Sequence, residues 1–119
     1  MSTKQERYAW LSDKERDKFN RQQAINILEK ITKSMFRLFR DETSTKEQLL
    51  ERFTTLYWKL TALWDVYLDT EYHGAMLEYV QRLEWVLHSY IPLDEIRSKQ
   101  MRALNWLQKL RNQKKYRRQ

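Results

Sequence analysis

This chain has one glycine and one proline with which to turn its backbone. Globular proteins average about 7% and 5% of these residues. Turn-rich β folds draw on both, glycine for positive φ and proline for a fixed bend. A chain of 119 residues this poor in both is built from long helices. At that length one domain is expected, and a modest core closes without disulfides, since there is no cysteine.

Apolar spacing places the helices. Ala24, Leu28, Ile31, Met35 and Leu38 recur at steps of four and three, widened by Ile25, Phe36 and Phe39, which predicts a first long helix over about 13–42. Leu49, Phe53, Leu56, Leu60, Leu63 and Tyr67 predict a second over about 45–68. The apolar set then changes phase to Met76, Val80, Leu83, Leu87 and Tyr90, so a turn near 68–74 or a kink in one long helix separates the two. Ile91-Pro92 ends the third helix, because proline pushes the preceding residue out of the α region. A fourth runs from about 93 to at least 112, with Ile96, Ala103, Leu104, Leu107 and Leu110 inward. Thr3–Glu6, Ser12–Glu15 and Ser44–Glu47 have the capping-box form of a helix start. The first implies a short N-terminal helix.

The expected fold is all-α: an antiparallel bundle of about four long helices over 1–112, with a basic C-terminal tail over 113–119. The same seams also suit an intermolecular coiled coil. Residues 1–18 are polar and resemble no secretory leader. No stretch approaches the roughly 18 apolar residues of a membrane span, so a cytoplasmic protein without a transmembrane segment is expected.

Charge is unevenly placed. The net +7 divides into +5 over residues 1–40, −7 over 41–96 and +9 over 97–119, where nine bases meet no acid. At 100° per residue, Trp106 lies off its own apolar stripe among Lys99, Arg102 and Lys109. Bases that neutralise phosphates, with a ring to stack on an unpaired base, suit nucleic acid, DNA or RNA. The tail adds Arg111, Lys114, Lys115, Tyr116, Arg117 and Arg118 to that candidate surface. Macrodipole complementation, solubility, a membrane-surface contact and a localisation signal (KKYRR) are the competing uses of those charges.

Trp58 and Trp85 project roughly opposite their stripes and are candidate contacts with a protein partner or a second copy, as an inhibitor, adaptor or immunity-type module would use them. Trp64 lies beside its stripe and belongs to the core. Asp69–His73 and Glu84–His88 are spaced one helical turn apart, but two ligands do not make a metal site, and no metal or cofactor is expected. The run Arg82-Leu-Glu-Trp-Val-Leu-His88 resembles the Arg-x(4–6)-His signature of HEPN-type ribonucleases, which are all-helical. That resemblance implies RNA cleavage by Arg82 and His88 at a dimer cleft, although Leu83 stands where the family often has a polar residue. The leading reading is a non-catalytic regulatory protein that binds nucleic acid.

Overall fold

The computed structural model describes residues 13–63, 68 and 71–113, with side chains from residue 18 onward. They form four α-helices and, among the described residues, no strand: α1 (Asp13–Arg40), α2 (Lys46–Thr61), α3 (Glu71–Leu87) and α4 (Leu93–Arg111). The Thr3–Glu6 signal, Ser12, Trp64 and Tyr67 lie outside the described residues.

The apolar stripes meet in one core. Leu28, Ile31, Met35 and Phe39 of α1 are sealed against Leu49, Phe53, Leu56 and Leu60 of α2, Met76, Val80, Leu83 and Leu87 of α3, and Ile96, Leu104 and Leu107 of α4. Helix α1 packs on each of the other three, and α3 also packs on α2 and on α4. Phe39 is fully buried and Leu38 only half-buried, so the α1 seam drifts by one position at its end. Such drift is what 3.6 residues per turn does to a strict 4-3 repeat.

Two ends differ from expectation. Helix α2 stops at Thr61, where the Thr61 hydroxyl donates to the Trp58 carbonyl (2.7 Å) and the Leu63 amide donates to the Leu60 carbonyl (2.9 Å). Helices α2 and α3 are therefore separate. Helix α3 stops at Leu87, before the proline, and Tyr90 is wholly exposed instead of closing the apolar stripe. Ser89 turns the chain there: its hydroxyl donates to the Val86 carbonyl at 2.6 Å, and the Lys46 ammonium takes the carbonyls of Ser89 (2.5 Å) and Ile91 (3.0 Å).

The capping box of α2 also sits one residue later than the sequence suggests. Thr45 accepts from the Gln48 amide at 3.2 Å, and the Gln48 side chain accepts from the Thr45 amide at 2.9 Å. Ser44 is withdrawn from that role. It is buried, and its hydroxyl lies 2.6 Å from the Leu38 carbonyl and 2.8 Å from that of Asp41.

The Leu38 carbonyl belongs to the last turn of α1, whose C=O groups have no intrahelical partner, and that of Asp41 follows directly after it. Arg97, at the start of α4, supplies the rest of the answer. Its Nη1 donates to the carbonyls of Phe39 (2.6 Å) and Asp41 (2.7 Å), and Nη2 reaches the Ser44 carbonyl at 3.3 Å. A guanidinium that serves three carbonyls closes the end of α1, the α1–α2 loop and the start of α4 in one contact. Asp41 is held by its own loop: the Thr43 hydroxyl and then the Thr43 amide keep its carboxyl below the ordinary carboxylate range, and Arg97 adds a smaller pull. Hydrogen bonds from a charged donor contribute about 1.5–3 kcal/mol. Arg97→Met therefore lowers unfolding free energy by about 2–3 kcal/mol in urea titration, and Arg97→Lys, lacking the planar fork, restores only part of it. An unchanged urea midpoint in Arg97→Met would show that the clasp carries no stability.

Candidate nucleic-acid interface on α4

Helix α4 carries five cations, and the structure sorts them. Arg97 is spent on the α1 end. Arg111, half exposed, lies 3.6 Å from the Glu29 carboxylate of α1. Lys99, Arg102 and Lys109 are exposed and have no ion-pair partner among the described residues. Helical geometry puts those three on one arc with Trp106, which is 54% exposed. The expected constellation of Lys99, Arg102, Trp106 and Lys109 therefore shares one open face of α4. Arg111 is divided between that role and its pairing with Glu29. Lys114, Lys115, Tyr116, Arg117 and Arg118 lie outside the described residues.

The reason the helix presents this face is its inward stripe. Ile96, Leu104, Leu107 and Leu110 are buried, and the positions about a quarter turn to a half turn away must face out. Asp94 and Glu95 in the first turn and Lys109 and Arg111 in the last complement the helix dipole. That effect accounts for part of the basic ending. It gives no reason for Lys99 and Arg102 in mid-helix.

Trp106 does not stand alone on a convex surface. It walls a groove between α3 and α4 of about 300 Å³. Ala75, Ala103 and Leu107 supply small and apolar lining, and Gln100 adds an amide. Glu78 and Arg82, paired with each other, also line the groove. Tyr79 lines it too, and its buried hydroxyl has no hydrogen-bond partner among the described residues. Sequence reasoning missed this groove, although Gln100, Ala103 and Trp106 recur every three residues, as do Ala75 and Glu78.

The other expected sites are separate. Trp58 and Trp85 are 77% and 70% exposed, on α2 and α3. His88 donates through Nδ1 to the Glu84 carbonyl (2.8 Å) and lines a different hollow, with Trp85 and Tyr90. Arg82 and His88 thus open onto different clefts of this chain. Among the described residues no group of three or more metal-binding side chains comes together. No helix among them is long and apolar enough to cross a membrane. Comparison with protein-family models, curated proteins and solved structures gives no significant match.

Two phenols report on the packing beside the interface. Burial, then the Glu29 charge, pushes the Tyr72 phenol up to about 12, against a smaller opposite pull from Arg111. Burial alone pushes Tyr79 far above the ordinary phenol range. A phenol with a raised folded-state pKa lends stability that is whole below its unfolded value, near 10, and is lost as pH climbs through the folded value. Tyrosinate absorbance of Tyr72 and Tyr79 should therefore rise together with loss of helix above about pH 10. Tyr79→Phe, which removes an unpaired buried hydroxyl, should raise stability by about 1 kcal/mol. Ionisation of both phenols near pH 10 with the helices intact would contradict the burial.

Proposed function

We propose that this chain is a non-catalytic nucleic-acid-binding protein, an antiparallel helical bundle that presents α4 and the basic tail to a phosphate backbone. The observation that carries this reading is the division of the α4 cations. Arg97 and Arg111 face the protein's own carbonyls and carboxylate, whereas Lys99, Arg102 and Lys109 surround an exposed Trp106 with no paired anion among the described residues. Unpaired bases on one face raise the local potential and attract a polyanion. The ends of the helices support the antiparallel arrangement: Arg97 ties the start of α4 to the end of α1, and Arg111 ties the end of α4 back to mid-α1. A regulatory role in the cytoplasm is the setting this reading implies.

The mechanism is counterion release. Each neutralised phosphate frees condensed cations, so affinity falls with salt at a log–log slope of about −0.7 per contact on a single strand and −0.9 on a duplex. Replacing Lys99, Arg102 and Lys109 by Gln should reduce the magnitude of the single-strand slope by about 2 and leave the urea midpoint unchanged. Fluorescence anisotropy over a salt series measures this. A triple variant that keeps the parent slope would remove α4 from the interface.

A second reading has its own observation. Trp58 and Trp85 are the most exposed indoles among the described residues, on helices of the acidic segment. Exposed tryptophan of that extent suits a protein partner, and a binding module that uses α2 and α3 for a protein leaves α4 free for nucleic acid.

A further inference from the structure

We infer that the groove between α3 and α4 is a slot for one unpaired nucleobase, which makes the ligand class single-stranded nucleic acid. This inference rests on the phosphate-binding reading of α4 and goes beyond it, because phosphate contact alone needs no groove.

Three features of the groove fit a base and are not needed for backbone tracking. The first is the wall. Trp106 offers a ring bordering the opening, and a ring stacks on any base because every base has a π-face. The second is the lining. Ala75 and Ala103 contribute only methyl groups there, and the groove beside the indole measures about 300 Å³. That is the low end of the range of small-molecule sites, roughly 300–1,000 Å³, suited to a single heterocycle. The third is polarity. The Gln100 amide both donates and accepts, and the Glu78–Arg82 pair offers an acceptor and donors to the edge of a base.

Position completes the case. Arg102 and Lys109 flank Trp106 along α4, and both are open to solvent. A strand whose phosphates lie along that face can lower one base between the helices beside the indole. A base inside a duplex reaches such a groove only by leaving its stack, at a cost of a few kcal/mol. The slot therefore favours a strand that is already unpaired.

The test uses the full chain and three probes of one labelled backbone: oligothymidylate, an abasic strand of equal length, and oligothymidylate annealed to its complement. The abasic strand carries the phosphates without the bases. It should bind with the salt dependence that the α4 cations confer, roughly tenfold more weakly than oligothymidylate. The duplex should show no advantage over the abasic strand at matched salt. Trp106→Ala should erase the preference for oligothymidylate and leave the abasic affinity and salt slope as they were, and Trp106→Phe should keep part of the preference. Ala103→Leu fills the groove without changing a charge or the indole, and should also erase the preference. Equal affinity for the two single strands would overturn the slot, as would a preference that survives both Trp106→Ala and Ala103→Leu. Failure of the abasic strand to bind at low salt would instead reject the phosphate reading, so the two fail separately. If no strand binds, both are wrong.

Discussion

The guanidinium of Arg97 holds the carboxyl end of α1, and the arrangement of the other helices follows from what that contact fixes. Helix α1 touches α2, α3 and α4, and Arg97 joins its carboxyl end to the α1–α2 loop and to α4. Phe39, Asp41 and Ser44 offer carbonyls there, and one planar cation takes all three. Lys46 does the same for the end of α3 through the carbonyls of Ser89 and Ile91. Two loops without glycine are thus closed by side-chain cations. At these two turns the cations stand in for the left-handed helix caps that glycine normally supplies, and no described residue has a positive φ.

The clasp also sets the rotation of α4. Arg97 and Arg111 lie about 40° apart around the helix at 100° per residue, and both face α1. Pinning both ends on one side leaves Lys99, Arg102, Trp106 and Lys109 on another. The helix is therefore charged on two faces for two reasons. One set satisfies carbonyls and a carboxylate of the fold, and the other has no partner among the described residues. Without this sorting, the basic ending of the chain would read as a uniform cationic helix.

Much of this was legible in sequence, and the part that was not has a common cause. The four apolar stripes and the outward turn of Trp58, Trp85 and Trp106 follow from local periodicity, which the structure keeps. The displaced capping box, the early stop of α3 and the exposure of Tyr90 do not. Ser44 is drawn from the start of α2 to the Leu38 and Asp41 carbonyls, where Arg97 reaches its hydroxyl from 53 residues away, and Lys46 bonds carbonyls more than forty residues away. The groove beside Trp106 is invisible for the same reason. Half of its lining comes from α3, and only the crossing of α3 with α4 puts Ala75 opposite Ala103. Arg82 and His88, close in the sequence, line different clefts of the chain.

The central claim is that the open cations and indole of α4, and not the acidic α2–α3 face, meet the ligand. Indole N–H resonances read this residue by residue in the intact protein. On titration with an unpaired oligonucleotide, the Trp106 signal should move in proportion to occupancy while those of Trp58 and Trp85 stay in place. Movement of the Trp58 and Trp85 signals with Trp106 unmoved would contradict the account.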